Sequence, residues 1–522
     1  MAKEYILVHD MGTTADKAII IDSDLNIVAS ETREFTSYYP HLNWTTQKIS
    51  EVYDNVVKCT NSLIKKSNID PKDIAVISFS NQMMTMIPID REGNVLLDEV
   101  GIWCDMRADK QAAELMEKLG GNDEYYKITG VGWQPELAPI SKIMWYKDNM
   151  PEIYNKTYKF LQYKELIAER LTGEIATEYG DMSMNGMLNA KTKEISEQIF
   201  EAADVDSDKI PRIINSHDII GRVSRKAAKV FGLAEGTAVT LGSGDVICAN
   251  TGAGVIKENI AYTYIGSANW SAVYSEEPVL DPKYKMNCNT MQPSGGYNLV
   301  MITAAGGIAQ DWFKDGAYQA EMNLMEDIID LSVYEKMKND AEAVAPGAEG
   351  LIFLPYLRGG GAPHFDMNAR GAMIGLGMTH TKAHMLRAIY EGVCFNKRWL
   401  YDLYKELGKD IYKFEEIRAI GGGVLNSLWM QIYANVNNQN FATLKSPQQS
   451  TALGAAIMGG VGVGIWDSYE EAAEKIDVDK IYEPELELVK IYDELYPIYR
   501  ESYAKLISSF TNLSEFNKKF SL

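Results

Sequence analysis

Leu241-Gly-Ser-Gly-Asp-Val-Ile-Cys-Ala-Asn250, continued by Thr251-Gly-Ala-Gly254, is the stretch on which the reading of this chain turns. The run Thr237-Ala-Val-Thr-Leu241 predicts a strand that feeds a tight glycine turn, and an acid, Asp245, stands directly after it. Gly242 and Gly244 let the backbone take positive φ and let a ligand approach closely. Two readings are open here. The aspartate caps a following helix, or it is presented to something bound.

The totals narrow the choice of partner. A chain of 522 residues exceeds one hydrophobic core, so two or more domains are expected. With 46% hydrophobic and 24% charged residues the chain reads as folded. A net charge of −21 repels phosphate backbones and excludes nucleic acid as partner. Any anionic substrate must then be met locally, by backbone N–H groups or a few lysines. Cys59, Cys104, Cys248, Cys288 and Cys394 are scattered without a C-x-x-C pair, which predicts reduced thiols in a cytoplasmic protein. His380 and His384 stand i,i+4 without an acid ligand and read as surface or capping residues. The chain enters its first strand at Tyr5 with no apolar leader, and no run of about 18 apolar residues follows, so no membrane segment is expected.

Near the start, Tyr5-Ile-Leu-Val-His9 reads as a strand, Asp10-Met-Gly-Thr-Thr14 as a turn and Ala18-Ile-Ile-Ile21 as a second strand. Strand, glycine turn, strand is neither a Walker loop nor a dinucleotide fingerprint, both of which lead into a helix. Such a hairpin turn can still hold phosphate on its N–H groups and on the hydroxyls of Thr13 and Thr14. Its acid can hold a hydrated Mg²⁺, and Lys17 can add a point charge. Next come a helical stretch from Gln47 to Ser67, a strand Ile74-Ala-Val-Ile-Ser-Phe79, and Asn81-Gln-Met-Met-Thr85. Trp103, Asp105 and Arg107 alternate, so on a strand end they share one face; the alternative is a packed Trp beside a surface Asp–Arg pair.

After Gly254 the pattern starts again. Ile260-Ala-Tyr-Thr-Tyr-Ile265 runs into Gly266-Ser-Ala268, a short echo of the first hairpin turn. Gly306 and Gly307 precede a helix and put free N–H groups at its start. Ile417-Arg-Ala-Ile420 delivers Gly421-Gly-Gly423 and then Asn426, a bare-backbone turn that can admit a flat ring and ribose. Ser450-Thr-Ala-Leu-Gly-Ala-Ala-Ile457 reads as a small-residue packing helix.

In this order the pieces resemble the FGGY carbohydrate kinases over nearly the whole chain, most closely the xylulokinase-type members. The matching elements are Asp10-Met-Gly-Thr-Thr14, Trp103-Cys-Asp-Met-Arg107, Gly242-Ser-Gly-Asp245, Gly266-Ser267, Phe353-Leu-Pro-Tyr-Leu357 with Ala369-Arg-Gly371, Gly421-Gly-Gly423 with Ser427 and Trp429, and Ala452-Leu-Gly-Ala-Ala456. The resemblance implies an α/β, actin-like ATPase fold: two related ribonuclease-H-like domains, here residues 1–252 and 253–522, with a ligand cleft between them. It implies an ATP-dependent kinase of a small ketose or polyol with Asp245 as catalytic base. By the same resemblance Asp10 holds Mg²⁺. Gly12, Thr13, Thr14, Lys17, Gly266, Ser267, Gly306 and Gly307 face the phosphates of ATP, and Gly422, Gly423 and Asn426 border the adenosine. Gln82, Met83, Met84, Trp103 and Asp105 face the sugar. Family members are often dimers, so the resemblance admits a homodimer.

The departures concern the acceptor. Where xylulokinases have Q-M-H-G this chain has Gln82-Met-Met-Thr85, and a methionine cannot replace the histidine's hydrogen bond. Val246 replaces the usual Asn or Gln after the base. Both changes point away from plain D-xylulose and keep erythritol, ribulose, gluconate and glycerol as alternatives, along with a catalytically silent sugar-binding homologue.

Overall fold

In the computed structural model of the chain, which describes residues 5–132, 134–266, 269–290, 295–303, 306–328, 332–362, 364–407 and 414–520, the run Tyr5–Met11 is a strand paired antiparallel with Ala15–Asp22. Gly12 N–H donates to the Ala15 carbonyl at 2.9 Å and closes the hairpin turn, with Lys17 opposite Asp10 in the register. Ile27–Glu34 adds a third antiparallel strand. The helix Ile49–Ser67 then buries Ile49, Val52, Val56, Cys59 and Leu63, one stripe at helical spacing, and ends on Asn68 in the left-handed conformation. Ile74–Asn81 and Ala238–Thr240 extend the sheet parallel to Tyr5–Met11, and Ile219–Arg222 closes it antiparallel. Parallel strands need crossovers that cover both faces, so Ile6, Leu7, Val8, Ile74, Val76, Ile77 and Val239 are all buried.

Two units make up the chain, and they interleave along the sequence. One comprises Met1–Lys257, Tyr274–Leu299 and Gln449–Ile476; the other comprises Glu258–Val273, Val300–Gln448 and Asp477–Leu522. In the second, Ile260–Ile265 pairs antiparallel with Asn269–Ser275 and parallel with Glu416–Ile420. The latter runs parallel to Phe441–Leu444, which Val478–Tyr482 closes antiparallel. Both sheets thus run from an antiparallel hairpin through two parallel strands to an antiparallel strand. The echo between Gly12-Thr14 and Gly266 is carried by a repeat of this pairing pattern. Ser267 lies outside the described residues.

The small-residue stretch is a packing helix, as read. Ser450–Val463 crosses Asp245–Gly252 with Gly454 and Gly252 at the contact. A Cβ on Gly252 would overlap the Ser450 carbonyl, and one on Gly454 would overlap the Cys248 carbonyl. The five cysteines are free, and among the described residues no helix is long and apolar enough to cross a membrane.

Candidate active site

Asp245 opens its helix where the short Ser243–Gly244 ladder has carried the chain to the end of Ile74–Asn81. Its Oδ1 accepts from the Val246 N–H at 2.8 Å. The capping reading therefore holds in part, since one orphan donor of the helix start is satisfied. Burial, and then the charge of Asp10, push the Asp245 carboxyl up to about 7. Asp245 makes no ion pair among the described residues. A carboxyl balanced near neutrality beside a second acid is suited to taking up a proton.

Asp10 stands near the end of Tyr5–Met11, at the carboxyl ends of the parallel strands, where ligands of open α/β sheets bind. Burial raises its carboxyl, against the Thr451 hydroxyl, which donates to Asp10 Oδ2 at 2.7 Å, and the Lys17 ammonium. Among the described residues no group of three or more His, Cys, Asp or Glu side chains could hold a metal ion. A site of one or two carboxylates suits an ion such as Mg²⁺, which keeps most of its waters and binds through substrate phosphates.

The hairpin turn is tied to Trp103, Gln47 and Gln82 by side chains. Trp103 Nε1 donates to Thr13 Oγ1 at 2.9 Å, and Gln47 Nε2 donates to the Thr13 carbonyl at 2.7 Å. Gln82 Nε2 donates to the Gly12 carbonyl at 3.3 Å and to Gln47 Oε1 at 3.0 Å, while Gln82 Oε1 is buried without a protein partner. The Met83 thioether lies on Gly244, where a Cβ would overlap it. Thr14 is exposed.

Asp105 requires a correction. The strand ends at Gly101, and residues 102–108 run as turns, so Trp103, Asp105 and Arg107 do not share a strand face. Trp103 is 42% exposed while Asp105 is fully buried. The Asp105 carboxylate accepts from Thr45 N–H at 2.8 Å and from Arg107 Nε and Nη2 at 2.7 and 2.8 Å. The carboxylate expected to face the sugar thus holds the turn through both of its oxygens. Arg107 in turn stacks on Trp44 and Trp145.

Several participants carry no motif. Met84, a non-glycine at φ +67°, donates its N–H to Gln162 Oε1 at 2.8 Å, and its carbonyl accepts from Lys142 Nζ at 3.1 Å. Lys142 also donates to the carbonyls of Ile102 at 2.7 Å and Trp103 at 3.5 Å, and burial pulls its ammonium down to about 8. Beneath the turn before Asp245, Ser243 Oγ donates to Glu178 Oε1 at 2.9 Å. Glu178 also accepts from Lys164 Nζ, Ser216 Oγ and the Gly180 and Asp181 N–H groups, and Lys164 pairs with Asp181. Met84 and Lys142 are 58 positions apart and Glu178 and Ser243 are 65, so spacing alone gave no sign of these contacts.

In the second unit, the Gly307 N–H donates to the Gly266 carbonyl at 2.7 Å, which brings Gly266 to the start of the helix Gly307–Ala317. Gly306 is that helix's N-cap residue. Gly421 takes φ +94°, and a Cβ there would also lie 2.7 Å from the Ile265 carbonyl, while Gly423 packs on Ile265 as well. Gly422 is exposed, with Gln448 Nε2 3.7 Å from the position of a Cβ. Asn426 Oδ1 accepts from the Trp429 N–H at 3.1 Å and caps the helix Ser427–Asn437.

Comparison with known proteins gives a match over residues 5–252 to the N-terminal domain of the FGGY family of carbohydrate kinases, and over residues 262–463 to its C-terminal domain. The chain is 30% identical over 516 residues to the xylulose kinase of Bacillus subtilis, covering 99% of this chain and 100% of that one. It is 28% identical to the gluconokinase of the same organism, covering 98% of each. Among solved structures, the ligand-bound xylulose kinase of Lactobacillus acidophilus superposes with a TM-score of 0.87 at 27% identity, over 98% of this chain and 99% of that one.

Proposed function

The chain belongs to the FGGY family of carbohydrate kinases, and from that premise we propose that it phosphorylates a small neutral ketose or polyol with Asp245 as general base. It is an ATP-dependent carbohydrate kinase of actin-like α/β fold; the acceptor, the metal and the residue roles are the proposal. The observation that carries it is the unpaired Asp245 carboxyl, raised to about 7 by burial and by Asp10 at the carboxyl ends of the parallel strands.

An acceptor hydroxyl bonded to Asp245 loses its proton to the carboxylate as its oxygen bonds to the γ-phosphorus. The bond from that phosphorus to the β,γ-bridging oxygen breaks, and ADP leaves. Gly12, Thr13, Thr14 and Lys17 contact phosphate, as do Gly266, Ser267, Gly306 and Gly307. Gly422, Gly423 and Asn426 border adenosine, while Gln82, Met83, Met84 and Trp103 border the acceptor. Asp10 would hold Mg²⁺, which when bound neutralises phosphate charge. The unpartnered Gln82 Oε1 is an acceptor for a sugar hydroxyl. With five free thiols the chain suits a reducing cytoplasm.

Two cations support the neutral substrate. Arg107 is engaged by Asp105 and Lys142 by three carbonyls, so neither charge on the sugar side is left for a carboxylate. ADP release with Mg·ATP is expected to show at least one of D-xylulose, D-ribulose, L-xylulose, erythritol and glycerol turned over about 100-fold more efficiently than gluconate. Gluconate as the best acceptor would refute the proposal. Because protonated Asp245 cannot accept a proton, kcat/KM is expected to fall about tenfold per unit below pH 7. A profile flat down to pH 5 would remove Asp245 from the role.

A further inference from the structure

We propose that Lys142 and Gln162 form a clamp on the Met84 backbone that positions the acceptor loop and ties it to Trp103. This rests on the reading of residues 82–84 and 103 as the acceptor side. Met84 has both backbone polar groups taken by buried side chains from separate elements. Its N–H goes to Gln162, which precedes the helix Tyr163–Thr172, and its carbonyl accepts from Lys142 of the helix Pro139–Asn149. Gln162 is steadied in turn, its N–H donating to Glu165 Oε2 at 2.8 Å.

Such a double hold has a specific task. A side-chain-bearing residue at φ +67° stays there only where its surroundings over-determine it. Asn and Asp support this conformation through their own side chains; methionine does not. Lys142 is 4% exposed and has no carboxylate within ion-pair distance among the described residues. Its acceptors are the carbonyls of Met84, Ile102 and Trp103, two segments otherwise separate in the chain. A buried charge bonded only to carbonyls is an expensive way to fill space. Lys142 thereby cross-ties the residues at 84 and 103. Lys142 and Gln162 are positioning residues. What Met84 contributes is a backbone held in an unusual conformation, in place of the hydrogen bond its side chain cannot make.

Glycine adopts positive φ without strain, so a Met84→Gly background should need the clamp less. The experiment is a double-mutant cycle of Lys142→Met with Met84→Gly, read by the KM for the acceptor, the KM for ATP and the melting temperature. In the Met84 background, Lys142→Met is expected to raise the acceptor KM at least tenfold and leave the ATP KM within twofold. In the Met84→Gly background the same change should raise the acceptor KM threefold or less, and should lower the melting temperature by less than it does in the Met84 background. An equal effect in both backgrounds, or an equal rise of the ATP KM, overturns the clamp. If Lys142→Met does not fold, Gln162→Ala runs the same cycle. If the wild-type protein phosphorylates no acceptor, the kinase reading fails, and the melting-temperature cycle alone decides the clamp.

Discussion

Asp245→Asn is expected to lower kcat about 1,000-fold while leaving the KM for ATP within twofold. The amide keeps the size and polarity of the carboxyl but cannot take the acceptor's proton. Val246 N–H still finds an oxygen to bond, so the helix start is preserved. The same variant should be more stable. Asp245 holds its proton more tightly in the fold than an ordinary carboxyl, which starts from 3.8. Its ionised form therefore weighs against the folded state, increasingly as pH rises from about 4 to about 7, and constantly above that. Calorimetry should find Asp245→Asn melting about 2 °C above the wild type at pH 8, with the difference gone at pH 4. Loss of activity accompanied by lower stability at pH 8 would show a damaged fold in place of a missing base.

Gly252→Ala is expected to cost about 3 kcal/mol or more and to reduce activity together with stability. Its Cβ would meet the Ser450 carbonyl, and backbone cannot swing aside as a flexible side chain can. The crossing of Asp245–Gly252 with Ser450–Val463 would have to open. Both helices carry site residues at their first turns: Asp245 on one, and Thr451, which bonds Asp10, on the other. Gly316→Ala is the control, because that helical glycine has nothing within 4 Å of an added Cβ. It should be neutral or stabilising by about 0.5–1 kcal/mol. Denaturant melts check both variants, and a Gly252→Ala protein within 0.5 kcal/mol of wild type would show that the helices can separate freely.

The features legible in the sequence were those set by local chemistry. The hairpin turn at Asp10–Thr14, the Gly–Ser–Gly–Asp turn and the triple glycine each need small residues in adjacent positions, and such runs stand out. The strand repeat was visible only as the short likeness of two turns, because strand order is a matter of long-range pairing. Thr451 could not be linked to Asp10 from spacing, since 441 positions separate them. Lys142 and Gln162 were missed for the same reason. Their acceptors are backbone groups, which every residue possesses, so no residue type marks the partner. The shared strand face of Trp103, Asp105 and Arg107 does not form because alternation assumes the strand continues; here it ends at Gly101, and the Asp105 carboxylate bonds Thr45 and Arg107. Met84 was judged by its side chain, whereas the structure engages its backbone.

The most direct measurement is ³¹P NMR of Mg·ATP with the best neutral acceptor, run with the wild-type protein and with Asp245→Asn. A sugar or polyol phosphate forming one for one with ADP in the wild type, and about 1,000-fold more slowly in the variant, is the predicted result. ADP accompanied by inorganic phosphate alone, or a phosphate ester made equally fast by Asp245→Asn, would contradict the assignment of Asp245 as the base of a carbohydrate kinase.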